Sequence, residues 1–166
     1  MFVKIPKGRS PMIQVMMLAA INDTGYDVML LLHILTAMVA FAPGFVNPLL
    51  GNQTKALDGP NRQAVVGFLS MNGRRIYGPA LILTGIFGFG LQGMSDSIWE
   101  FGQTWLWLGA LLWIAMIGLQ HALLFPAEKA VAAGDETAAQ RADTIAMVIN
   151  GLMVVVLYLM IFKPGF

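Results

Sequence analysis

The chain has 166 residues, of which 57% are hydrophobic and only 11% are charged. A typical soluble domain carries about 25% charged residues, so this composition excludes an ordinary water-exposed globular protein. The net charge of +1 and the lack of any basic tract argue against nucleic-acid binding, and the absence of cysteine excludes disulfides, thiolate metal sites and cysteine nucleophiles.

The first 25 residues are predicted to form a separate arm. Cationic residues between positions 4 and 9 precede a short apolar run at 12–21, a pattern shared by signal peptides and interfacial helices. Gln14 interrupts this run. We therefore interpret residues 1–25 as a retained arm that can lie, as an interfacial helix, in the plane of the lipid headgroups.

Four long apolar segments follow, at about 28–50, 76–94, 104–125 and 144–162, and none contains Asp, Glu, Lys or Arg. At about 1.5 Å per residue, each is long enough to cross a hydrocarbon core of about 30 Å. None shows the polar stripe of a helix on the surface of a soluble protein. The sequence predicts an all-α fold, an integral membrane four-helix bundle over residues 26–166.

The segments that connect the apolar runs are polar. Asp58-Gly59-Pro60 signals a turn, a short surface helix is predicted at 62–71, and Pro126 is expected to end the third membrane helix. Of the ten Lys and Arg residues, six lie in the two long connections and four lie near the termini or in the short loop. The positive-inside rule then predicts cytoplasmic long connections and external termini.

Small residues recur along the predicted helices at spacings that allow helices to pack closely. We interpret them as contacts inside the bundle, with docking against helices of another protein as the alternative. These predicted helix-packing or partner-contact residues are Ala37, Ala40, Gly44, Ala80, Thr84, Gly88, Gly118 and Ala122.

Arg74 and Arg75 stand at the start of the second apolar segment. Long cationic side chains at this position commonly anchor a helix by reaching toward the membrane surface. The alternative is direct contact with the headgroups of anionic phospholipids.

His33 is the candidate cofactor-binding residue, because an ionisable group inside a membrane segment indicates a functional site. His121, in the third segment, lies at a depth that differs from that of His33 by roughly 15 Å at 1.5 Å per residue. One haem ligated by both is therefore not expected, and a hydrogen bond between helices is the simpler role for each. No cofactor and no metal site are predicted, with haem b at His33 as an alternative.

The segments Leu31-Leu32-His33-Ile34-Leu35-Thr36-Ala37, Arg74-Arg75-Ile76-Tyr77-Gly78-Pro79-Ala80 and Leu83-Thr84-Gly85 resemble those of small bacterial membrane proteins of the copper-resistance-D-like kind. The resemblance covers about residues 28 to 125. It implies a multi-pass protein of the bacterial inner (cytoplasmic) membrane. Some relatives are thought to bind haem or to handle copper, but the scattered methionines here do not match a metal-handling pattern.

The predicted function is that of a non-catalytic accessory subunit of a multi-subunit membrane complex. Respiratory or photosynthetic electron transport is the expected setting, with assembly or stabilisation as the role and other integral membrane subunits and phospholipids as partners. A haem- or copper-binding protein that uses His33 is the alternative, and a small channel or transporter is the second alternative.

Overall fold

The computed structural model describes residues 10, 12, 23–54, 56–96 and 98–165, and within this part the regular structure is entirely helical. The α-helices are α1 (Thr24–Thr54), α2 (Gly59–Asn72), α3 (Gly78–Gly93), α4 (Thr104–Leu119), α5 (Phe125–Ala132) and α6 (Thr137–Phe162). Two π-helical turns, Gly73–Tyr77 and Gln120–Leu124, join α2 to α3 and α4 to α5.

The joined helices make four rods that are long and apolar enough to cross a membrane. They are Thr24–Gly51, Gly59–Gly93, Thr104–Ala132 and Thr137–Phe162. The prediction of an all-α membrane protein with four spanning helices is thereby confirmed. The predicted interfacial helix of the N-terminal arm lies outside the described residues, which include only positions 10, 12 and 23 before α1.

The helices extend beyond the apolar segments that predicted them. The second rod starts at Gly59, so the surface helix expected at 62–71 is continuous with the second membrane helix, and α6 starts at Thr137. The apolar run defines only the part of a helix that hydrocarbon surrounds. Beyond it, alanine, glutamine and arginine continue the helix because their helix propensity is high.

The third rod continues past Pro126 to Ala132, so this proline does not end the helix as expected. Proline lacks an N–H and its ring collides with the carbonyl four residues earlier in a regular α-helix. Here a π-turn precedes it, in which the amide of Phe125 donates to the carbonyl of Gln120. Pro79 also follows a π-turn, and in both places the wider turn lets the helix accommodate the proline.

The four rods form a bundle in which α1 packs most extensively on α3, and α4 packs on α6. Smaller contacts of α3 with α4 and of α1 with α6 complete the arrangement. Met116 of α4, only 1% exposed, lies in the middle of the core. The buried residues of this core are Ala40, Ala80, Leu81, Met116, Ile145, Ile149, Met153 and Val156.

The two ends of the bundle differ in chemistry. At one end the indole N–H of Trp99 donates to the hydroxyl of Tyr26 at 3.0 Å, and the amine of Lys163 lies 3.9 Å from the centre of the Trp99 ring. At the other end α2 packs on α5, and Arg62 forms an ion pair with Glu136 at 2.6 Å. An aromatic membrane boundary thus faces a charged one across the bilayer.

Candidate functional site

His33 lies between α1 and α3. Its Nδ1 is 2.7 Å from the carbonyl oxygen of Thr84, and a Cβ on Gly88 would be 3.1 Å from its Cε1. Because a carbonyl oxygen only accepts hydrogen bonds, Nδ1 must carry the proton, and Nε2 of the neutral ring keeps its lone pair. The glycine allows the imidazole to approach α3 closely enough for this bond. His33 therefore links two helices and retains one nitrogen that can act as a ligand.

His121 lies exposed in the second π-turn, with its Nδ1 3.0 Å from the carbonyl oxygen of Ile117. His33 bonds to Thr84 of α3, which lies one turn from Leu81, and the carbonyl of Leu81 accepts a hydrogen bond from Trp113 of α4. The depth of Trp113 in the bundle is therefore within about one turn of that of His33. His121 is eight residues beyond Trp113 along the chain, in the direction away from His33. The two imidazoles therefore differ in depth by about 15 Å at 1.5 Å per residue, and they do not fit the two faces of one haem. Among the described residues, no group of three or more His, Asp and Glu side chains could hold a metal ion.

Several of the predicted contact positions face neighbouring helices of the same bundle. Ala40, Ala80 and Thr84 are buried, and Ala37 is half-buried. A Cβ on Gly44 would be 2.7 Å from the side-chain oxygen of Asn150 of α6. These small side chains let α1 approach α3 and α6, as small residues do in membrane bundles.

Gly118 and Ala122 have a different position. Both are exposed on the outer surface of the bundle, and a Cβ on Gly118 would meet nothing within 4 Å. Ala115, one turn earlier, is also exposed. The outward small-residue face, defined by Ala115, Gly118 and Ala122, therefore makes no close helix contact inside the described part of this protein.

A contact that the sequence does not predict joins Gly85 of α3 to Trp113 of α4. The indole N–H of Trp113 donates to the carbonyl of Leu81 at 2.7 Å, and its ring lies directly over Gly85. In the sequence, Gly85 is only one of several glycines that make the second membrane helix narrow. A tryptophan in the middle of an apolar segment, rather than at its end, is the signal that could have indicated an internal hydrogen bond.

At the charged end, Arg74 lies in the first π-turn and contacts Phe125, the residue that directly follows the second. Its guanidinium donates to the carbonyl oxygen of Phe125 at 2.7 Å and lies 5.7 Å from the centre of that phenyl ring. The ring packs against Gly73 and Gly78, where a Cβ would be 3.3 and 3.2 Å from it. Arg74 is thus bound to the backbone of the neighbouring rod, which places it beside α5.

A cleft of about 320 Å³ lies next to Arg74, between α2 and α5. We call it the basic cleft. Its lining includes Gly67, Ser70, Arg74, Arg75, Lys129 and Ala132. Glu128 borders this region beside Ser70, and its carboxylate oxygen Oε2 is buried. Arg74 lies near enough to attract this carboxylate.

Lys129 and Ser70 were not among the predicted site residues. Lys129 follows Pro126, the expected end of a helix, and the sequence therefore places it in a loop rather than on a helix face. The π-turn that carries the helix past the proline is what brings Lys129 to the same cleft as Arg75.

Comparison of the chain with protein-family models, with curated proteins and with solved structures finds no match.

Proposed function

We propose that the protein is a non-catalytic accessory subunit of a multi-subunit membrane complex, in which it contributes to assembly or stabilisation. The observation that carries the proposal is the outward small-residue face of α4. In lipid, apolar side chains gain little by leaving the hydrocarbon, so close packing of small residues is a principal source of helix association. The face at Gly118 suits the approach of a helix from another subunit.

The exposure of α1 supports the same proposal. Only 6% of the residues in its most apolar stretch are buried within the protein. Large side chains such as Leu31, Met38 and Leu49 are more than half exposed. Lipid covers such a surface adequately, but helices of other subunits can cover it as well, and the bundle thus offers contact area on two sides.

Within this class we place the protein in a respiratory or photosynthetic electron-transport complex of the bacterial inner membrane. The charge distribution supports a cytoplasmic position for the end that contains Arg62, Arg74 and Arg75, with the termini outside. The resemblance to copper-resistance-D-like proteins supports a bacterial membrane origin and is likewise a proposal.

The test is extraction of the tagged protein from its own membranes in a mild detergent, followed by native mass spectrometry. We expect the wild type to carry other integral membrane subunits in fixed stoichiometry and Gly118→Leu to lose them. Leucine fits the isolated chain because the space around Gly118 is open and because its helix propensity exceeds that of glycine. Loss of partners by this variant would therefore report a lost contact and not a misfolded bundle.

Gly151→Leu is the matched control, since a Cβ on Gly151 of α6 would also meet nothing within 4 Å and this glycine lies on a different helix. It should retain the partners. A wild-type protein that runs alone would overturn the proposal. Full retention of partners by Gly118→Leu would show that α4 does not form the interface.

A second candidate function, haem or metal binding through His33, is favoured by one observation. The bond from Nδ1 to Thr84 holds the ring in the tautomer that leaves Nε2 able to bind a metal. Absorption spectroscopy and elemental analysis of the purified protein test it. A Soret band or bound copper that disappears in His33→Gln would support this function, and their absence from the wild type would dismiss it.

A further inference from the structure

The basic cleft contains cations that the protein itself does not neutralise. Among the described residues, Arg75 and Lys129 form no hydrogen bond and no ion pair, and both are exposed. Arg74 uses one nitrogen for the carbonyl of Phe125, and the guanidinium group has further N–H donors. Glu128 offsets one of the three positive charges, so the cleft keeps a surplus of positive charge.

The position of the cleft along the rods indicates the depth of its ligand. The apolar part of the second rod begins at Ile76, directly after Arg75, and that of the third rod ends at Phe125, four residues before Lys129. About 20 residues of each rod fill the hydrocarbon core, and the remainder projects from it. Arg75 and Lys129 therefore lie at the level of the phospholipid headgroups.

The surroundings of the cleft suit a lipid better than a free anion. Ile76 and Leu83 of the second rod are exposed on the part that enters the hydrocarbon. A molecule whose phosphate lies between Arg75 and Lys129 can therefore place acyl chains against apolar helix surface. The small residues of the lining, Gly67 and Ala132, keep the cleft open.

We propose that the basic cleft between α2 and α5 binds the phosphate group of an anionic phospholipid, with Arg75 and Lys129 as its principal ligands. Arg74 adds positive charge and holds the two rods together through Phe125. A zwitterionic lipid is a poorer ligand, because its ammonium group would lie near Arg75 and Lys129. This site is independent of the proposed partner interface on α4.

The experiment measures lipid retention by native mass spectrometry after delipidation and addition of equal amounts of phosphatidylglycerol and phosphatidylcholine. The wild type should retain phosphatidylglycerol in preference. The double variant Arg75→Gln and Lys129→Gln should bind it roughly 30-fold more weakly, since each cation near the membrane surface contributes a factor of about five to six. Glutamine keeps most of the length of both side chains, and neither residue has a bond within the described protein to lose.

Arg141→Gln is the control for position, because it removes one positive charge from α6 at an exposed site outside the cleft. It should leave the lipid preference unchanged, and far-UV circular dichroism should show the same helix content for all variants. Equal retention of the two lipids by the wild type, or an equal loss in Arg141→Gln, would overturn the proposal.

A final arm distinguishes the lipid from free phosphate. Inorganic phosphate at millimolar concentration is added to the lipid-loaded protein and should not displace phosphatidylglycerol. Displacement by phosphate alone, with the same dependence on Arg75 and Lys129, would assign the cleft to a soluble anion and overturn the lipid assignment.

Discussion

The contact of Trp113 with Gly85 makes a sharp prediction about the interface of α3 and α4. In Gly85→Ala, the new methyl group would lie within 3.0 Å of three atoms of the indole ring, Cε2, Cζ2 and Cδ2. The ring cannot simply move away, because its N–H is bonded to the carbonyl of Leu81 at 2.7 Å. The substitution must therefore either separate the helices or break this hydrogen bond.

The expected magnitude follows from three effects. Overpacking of a filled interface costs about 1–3 kcal/mol, and loss of the indole hydrogen bond costs about 1 kcal/mol. The replacement of glycine by alanine in a helix stabilises the folded state by at most about 1 kcal/mol, because alanine has the higher helix propensity. We expect Gly85→Ala to lower the free energy of unfolding by about 2 kcal/mol.

The assay is unfolding in mixed micelles by sodium dodecyl sulfate, followed by far-UV circular dichroism. Gly118→Ala is the matched control, because it makes the same change in α4 where the added methyl group meets nothing. It should be as stable as the wild type or slightly more stable. If Gly85→Ala matches this control, the ring of Trp113 does not lie on Gly85 and the reasoning is refuted.

A double-mutant cycle isolates the contact further. Trp113→Leu removes the ring that the new methyl group would strike, so Gly85→Ala should cost little or nothing in that background. The coupling energy between the two positions should then be about 2 kcal/mol, because residues in direct contact are not additive. Additive effects would show that alanine at position 85 destabilises the protein by another route.

Further predictions concern the two ends of the bundle. The hydroxyl and amide of Thr137 donate hydrogen bonds to the Asp135 carboxylate and lower the pKa of this carboxyl in the folded protein. The two bonds therefore stabilise the fold above the unfolded pKa of about 3.9, and this stabilisation is lost as the pH falls through the lower folded pKa. The difference in unfolding free energy between wild type and Asp135→Ala should therefore be present at pH 7 and vanish in acid, and a difference that persists in acid would contradict this reasoning. Tyr26→Phe should lower stability by about 1 kcal/mol in thermal unfolding, as it removes the hydroxyl that accepts from Trp99, and Trp99→Phe should cost more, because it removes the same hydrogen bond and also the indole ring beneath the Lys163 amine. Lys163→Met should cost about 0.5–1 kcal/mol through loss of the cation over the Trp99 ring, whereas an unchanged melting temperature would show that this contact contributes nothing.

The sequence by itself determined that the protein is helical and that four segments cross a membrane. Apolar length without charge decides this, because backbone polar groups in hydrocarbon must be satisfied within a helix or a closed barrel. The same reasoning placed Arg74 and Arg75 directly before the apolar part of the second rod. It could not locate the ends of the rods at Gly59 and Ala132, since helix formers such as alanine, glutamine and arginine continue the helix outside the bilayer.

Only the tertiary structure decided which faces of the helices meet. These helices are apolar on all sides, so no hydrophobic stripe marks the side that turns inward. The hydrogen bond of His33 to Thr84 joins residues 51 positions apart, and the seat of Trp113 on Gly85 depends on the rotation of two helices. The rotation of the helices also decides whether a small residue lies inside the bundle, as Gly44 does, or on its outer surface, as Gly118 does.

The basic cleft depended on the tertiary structure for the same reason. Arg75 was visible in the sequence as a cation at the membrane boundary, but Lys129 stood beyond a proline that normally ends a helix. A π-turn at 120–124 carries the third rod past that proline, and the packing of α5 on α2 then brings the two cations to one cleft. Long-range packing, which local propensity and hydropathy do not encode, therefore brings into one cleft a residue that the sequence placed at the membrane boundary and a residue that it placed in a loop.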